Sequence, residues 1–158
     1  MSEVKHTKTA EQAMSALMHL CARSERSSGD ALRLMYRWGI ASKERDAVLE
    51  RLIRERYIDD GRFAAAYVRD KLKFSRWGEH KIRAALRAKG IDNKVIDSAL
   101  SQERLGDPNE RLERSLVFKL QRVSGTPYEI KGKLMRYGLS LGYDYETVYE
   151  AVERCIKQ

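Results

Sequence analysis

Proline occurs only twice in this chain and cysteine only twice. Proline removes a backbone donor and clashes inside a helix, so its scarcity leaves long helices free to run. Cys21 and Cys155 lie far apart and belong to no Cys-x-x-Cys pair, which excludes a zinc ribbon or a disulfide framework. Each falls on the apolar side of a helical pattern and reads as a small buried hydrophobe. No apolar run approaches the roughly 20 residues of a membrane span. Residues 1–9 are polar and hold no signal-peptide core, so a disordered N-terminus and a cytoplasmic protein are expected. No stretch alternates apolar and polar over six β-prone residues, so no strand is expected. No P-loop, nucleophile elbow or His-Glu-x-x-His is present. His6, His19 and His80 are scattered, and the adjacent Asp59 and Asp60 have no third ligand at metal spacing. The expectation is therefore no catalytic residue, no metal and no cofactor, with the paired aspartates capping a helix.

Charge is abundant, and it is unevenly placed. The formal net charge is +8. Residues 1–61 carry eleven Lys/Arg against ten Asp/Glu, and residues 95–158 carry ten of each. Residues 62–94 carry ten against three, so nearly the whole excess sits in one fifth of the chain. Moving the boundary to take in Asp59 and Asp60 lowers that local excess to +5. A concentrated positive field attracts polyanions, whether nucleic acid or an acidic protein surface.

Apolar residues recur with helical spacing throughout. The first helix is expected from Ala10 to Arg23. Ser24 to Gly29 reads as a turn, with Asp30 capping a second helix that Gly39 stops, and a third begins near Ser42. Asp59 or Asp60 opens the next, with Phe63, Tyr67 and Phe74 as its apolar stripe. Trp77-Gly78 breaks the chain, and Ile82 and Leu86 mark a helix ending at Gly90. Asp107-Pro108 and Thr126-Pro127 are cap-plus-proline openings, and Asp144 caps the last of nine helices. The rhythm repeats: Gly39-Ile40, Gly90-Ile91 and Gly138-Leu139 stand 51 and 48 residues apart. In each case a capped helix follows the glycine. A helix-ending glycine followed by an apolar residue that packs back over the last turn explains the recurrence. Periods near 50 indicate stacked units. The predicted fold is all-α: three tandem three-helix units at 10–57, 58–105 and 106–158, in an elongated, curved arrangement.

Two motifs at the centre of the chain, in this order, carry a family resemblance. Tyr57-Ile58-Asp59-Asp60-x-Arg62-Phe63-Ala64-x-x-Tyr67-Val68-Arg69 is followed by Gly78-x-x-Lys81-Ile82-Arg83-x-x-Leu86-x-x-Lys89-Gly90-Ile91. Together they closely resemble the central repeat of the RecX family, regulators of the RecA recombinase. Lys131-x-x-Leu134-x-x-Tyr137-Gly138-Leu139 resembles the third repeat. The first repeat is looser, with Ala31 where the family has Glu and Trp38 where it has Lys. The resemblance implies a protein that binds the RecA nucleoprotein filament along its groove. It also implies inhibition of RecA ATPase, strand exchange and coprotease activity.

The candidate binding face comes from the charge pattern. Arg62, Arg69 and Lys73 recur at i, i+7 and i+11, away from the apolar stripe. His80, Arg83 and Arg87 recur at i, i+3 and i+7 on the next helix, with Arg76 in the turn between. A solvated exterior explains any one such charge; seven positions in one segment favour binding. Direct contact with single- or double-stranded DNA is a second use for the same charge. A helix-turn-helix transcription factor is the rival reading, since Gly90-Ile91 has the grammar of that turn. Its second helix, with Asn93, Lys94, Asp97 and Ser98, offers little charge for a major groove. A monomer is expected.

Overall fold

The computed structural model describes residues 8–104 and 106–157. The expected disordered segment 1–9 lies outside them in all but its last two residues, and so does His6. Among the described residues the chain is all-α, with nine helices and no strand. They are α1 (Ala10–Arg23), α2 (Ser28–Arg37), α3 (Ser42–Arg54), α4 (Asp60–Lys73), α5 (Glu79–Ala88), α6 (Asn93–Glu103), α7 (Pro108–Leu120), α8 (Pro127–Ser140) and α9 (Tyr145–Lys157). They follow one another as three sets of three.

Side-chain caps start most of them, because the first backbone N–H groups of a helix have no partner within it. Thr9 and Gln12 close a capping box on α1. Asp59 accepts the N–H of Arg62, Asp92 that of Lys94, and Asp144 that of Thr147. Asp107 and Thr126 cap α7 and α8 ahead of a first-turn proline. Each such cap contributes about 1 kcal/mol. The start of α2 differs from expectation. Ser27, fully buried, is the cap, and Asp30 is its capping-box partner three residues on. Gly29 therefore lies inside the helix rather than in a turn.

The helix ends correct the repeat. Ile40 N–H donates to Met35 C=O and Gly39 N–H to Tyr36 C=O, and the same pair of bonds joins Ile91 to Leu86 and Gly90 to Arg87. Gly39 and Gly90 have φ of 75° and 82°, the left-handed conformation this ending requires. In the third set that role falls to Gly142, with φ 91°, and not to Gly138. Helix α8 runs on to Ser140. The true period is thus 51 then 52 residues, and α3, α6 and α9 each begin three residues after their glycine. Gly138 is a glycine for another reason: a Cβ there would stand 2.6 Å from Val148 Cγ1.

The described chain divides into two compact units. One comprises the chain through Ala66 together with Leu86–Ala99. Its core joins Ala13, Leu17, Ala31, Met35, Leu52 and Ile58 from α1–α3 and the turn after them. Burying a leucine such as Leu17 or Leu52 contributes on the order of 2 kcal/mol. In the same unit Asp60 reaches past its own helix to accept the N–H of Ser28, the first residue of α2, at 2.8 Å. Gly29 lets the Lys89 carbonyl approach α2 closely, where a Cβ would collide with it. Lys89 Nζ also stands 3.8 Å from Asp30.

The other unit comprises Tyr67–Ala85 together with the chain from Leu100 on. Helices α7, α8 and α9 pack on one another around Leu112, Leu116, Leu134, Val148 and Val152. The C-terminal carbonyls of α8 find donors at the start of α5. Gly78 N–H donates to Leu141 C=O at 2.6 Å, and Lys81 Nζ to Ser140 C=O at 2.7 Å. Val68 and Leu72 are the buried residues of this part of α4, whereas Phe74 is 73% exposed. The expected Phe63–Tyr67–Phe74 stripe is therefore wrong at its end. Phe63 is buried, but the covered spacing i, i+4, i+8 runs through the smaller Ala64, Val68 and Leu72, and Phe74 falls outside it.

Candidate functional site

The candidate basic residues fall in both units, so each group has its own surroundings. In the first unit, Arg62 is the most committed. Its Nε donates to Glu25 at 2.6 Å, and one terminal nitrogen donates to the Arg56 and Tyr57 carbonyls that follow α3. Those carbonyls are orphaned by the end of α3, which turns through Arg56 at φ 63°. Arg62 thus works as a structural clasp. Arg87, in the last turn of α5, is exposed.

In the second unit Arg69 lies 3.7 Å from Glu103, a loose pair worth little where both partners meet water. Lys73 is exposed and rests over the Phe74 ring. Arg83 is half-buried and His80 exposed. Trp77 is half-buried beneath two ammonium groups, Lys71 at 4.6 Å and Lys81 at 4.5 Å, with Tyr67 edge-on at 6.4 Å. That arrangement fixes the turn between α4 and α5 through cation–π contacts and leaves Trp77 engaged as packing. Burial raises the Tyr67 phenol above its ordinary value.

Arg76 is the candidate with most company. It lies in the turn between α4 and α5 at φ 60°, and its guanidinium lies 4.1 Å from the centre of the Phe118 ring. Arg122 covers the same ring at 3.6 Å. Arg76, Arg111, Arg114, Phe118 and Tyr143 line one cavity of about 390 Å³. Arg111 also donates to the Gly106 carbonyl at 3.2 Å. Burial pushes the Tyr143 phenol up, with Arg111 beside it pulling the other way.

Net charge concealed this cleft. The C-terminal segment sums to zero, yet Glu113 pairs with Arg154 and Glu153 with Lys131 within it, and Glu79 from outside it pairs with Arg104. The legible signal was spacing: Arg111, Arg114, Phe118 and Arg122 recur at i, i+3, i+7 and i+11, one face of α7 and the turn beyond.

Among the described residues no three His, Cys, Asp or Glu side chains gather where they could hold a metal, and no helix is long and apolar enough to cross a membrane. Asp59 and Asp60 are both occupied as helix caps. Cys155 is buried and Cys21 half-buried, and burial raises the thiol pKa of both.

Residues 59–100 match the RecX second three-helix domain. The regulatory protein RecX of Mycolicibacterium vanbaalenii is 30% identical over 161 residues, covering 94% of this chain and 88% of the relative. That of Clostridium botulinum strain Eklund 17B is 33% identical over 105 residues, covering 63% of this chain. The chain spans about half the length of the clostridial relatives, 48%. Among solved structures, RecX from Lactobacillus salivarius superposes with a TM-score of 0.73 at 19% identity, over 94% of this chain and 97% of that one. A second RecX crystal structure gives 0.72 at 23%, over 92% and 71%. These two likenesses establish the fold.

Proposed function

The chain belongs to the RecX family, and from that premise we propose that it binds the RecA nucleoprotein filament and inhibits RecA ATPase, strand exchange and coprotease activity. The role is regulatory and calls for no catalytic residue or cofactor. The observation that carries the reading is the match to a RecX regulatory protein over nearly the whole of both chains. The local charge supports it: residues 62–94 hold the chain's positive excess, and a filament of protein on DNA presents extended negative surface. Arg69, Lys73, Arg83 and Arg87 are the residues proposed to meet it, with Arg76 beside them in sequence. Arg62 contributes less, because three of its N–H donors are engaged by Glu25 and two carbonyls.

In this proposal the three-helix units 10–57, 58–105 and 106–158 lie along the filament as a monomeric arm in the cytoplasm. Binding of that kind stops growth or conformational cycling by occupying the surface on which successive RecA subunits move. DNA within the filament is a second contact for the basic middle unit. The test is RecA's single-strand-dependent ATPase with this protein added below stoichiometry. Inhibition that weakens as salt rises is the expected result, because such attraction is screened. Unchanged ATPase at every moderate salt concentration would overturn it.

A further inference from the structure

We propose that the cleft between the end of α4 and α7 is a binding site for the terminal phosphate of a nucleotide, carried either by a free nucleoside phosphate or by the 5′ end of a strand. The site lies wholly in the second unit, and the inference needs no RecA. Three guanidiniums, those of Arg76, Arg111 and Arg114, line the cleft, and among the described residues no carboxylate does. Guanidinium is the side chain whose forked donors match phosphate oxygens, and it keeps its charge at any physiological pH.

Two of the three are held in place before any ligand arrives. The Arg76 guanidinium is held over Phe118, at 4.1 Å from the ring centre, and Arg111 is anchored on the Gly106 carbonyl and beside Tyr143. Holding a guanidinium against a ring leaves donors on its edge for an anion and removes much of the rotamer entropy that binding otherwise costs. Arg122, over the same ring but outside the lining, adds a fourth positive charge nearby. The backbone points the same way. Arg76 occupies a left-handed conformation that glycine would adopt more cheaply, and such strain tends to persist where a side chain is needed.

Volume selects the end of a ligand over its middle. A cavity of about 390 Å³ has the size of a small-molecule pocket. A phosphodiester backbone passing through wants an extended groove, and it brings one negative charge per phosphate. A terminal phosphate brings close to two near neutral pH and three non-ester oxygens where a diester has two, enough to meet three cations at once.

The experiment uses the full chain and 3′-fluorescein-labelled oligothymidylate bearing either a 5′-phosphate or a 5′-hydroxyl. Anisotropy should show about tenfold tighter binding of the phosphorylated strand, the gain of one charge-assisted contact. Arg114→Gln and Arg76→Gly should each erase that difference while leaving the helical circular dichroism unchanged. Competition by ATP at millimolar concentration or below would assign the site to free nucleotides. A 5′-phosphate preference that ATP does not disturb would assign it to strand ends. Equal affinity for both strands with no competition by ATP would overturn the proposal, as would a preference that survives both substitutions.

Discussion

Asp60 accepts the backbone N–H of Ser28 at 2.8 Å, across 32 residues of chain. An acid at the head of α4 thereby satisfies an orphan donor of α2 and sets negative charge at that helix's positive end. Its neighbour Asp59 does the local work of capping α4. Asp60→Ala should therefore cost about 1–2 kcal/mol and Asp59→Ala about 1 kcal/mol. Urea unfolding of the two variants measures both, and equal stability of wild type and Asp60→Ala would show the long-range cap to be idle.

Glycines 90, 138 and 142 separate two kinds of demand. At Gly90 an added Cβ meets nothing within 4 Å, so Gly90→Ala should cost only the left-handed strain, about 1 kcal/mol. Gly138→Ala drives a methyl to within 2.6 Å of Val148 and should cost about 1–3 kcal/mol through overpacking. Gly142→Ala combines strain with a collision against Lys81 and should be the worst of the three. Adding Val148→Ala to Gly138→Ala should recover part of the loss, and a double-mutant cycle reads that coupling.

The basic candidates should split by role. Arg62→Ala removes the Glu25 pair and the clasp on two carbonyls, so it should lower stability by about 1–2 kcal/mol. Reversing Arg69, Lys73, Arg83 and Arg87 together to Glu should abolish inhibition of RecA ATPase while helicity is retained. A quadruple variant that inhibits normally would move the binding face elsewhere.

Acid should loosen the first unit through Asp30. Burial works against its charge, but the Ser27 N–H, Arg33 and Lys89 outweigh burial and hold its pKa below the ordinary 3.8. A carboxylate whose folded pKa is depressed contributes stability above its unfolded pKa and loses it as pH falls through the folded one. The loss should therefore begin near pH 4 and deepen below it. Asp30→Asn should flatten that part of the profile of urea midpoint against pH; an unchanged acid slope would exclude Asp30 as its source.

Helix number, most caps and the three-fold rhythm were legible in the sequence because they rest on local rules. Capping residues, first-turn prolines and apolar spacing act over a few positions, and the helix starts at Asp107-Pro108 and Thr126-Pro127 follow from them directly. The family followed as well, from two motifs in order. What the sequence left open were residues with two possible uses. Glycine serves a left-handed turn or a close approach, and only the folded chain assigns the turn to Gly142 and the close approach, against Val148, to Gly138. Phe74 satisfies helical spacing yet faces water, because only packing decides which of two apolar faces is covered. Arginine binds a partner or its own fold, and tertiary contacts made Arg62 a clasp and gathered Arg76 with Arg111 and Arg114. The sequence by itself determined the helices and their repeat, through interactions a few residues long. Only the tertiary structure decided which glycines turn, which aromatics are buried and which cations share a cleft, since those depend on atoms brought together from distant parts of the chain.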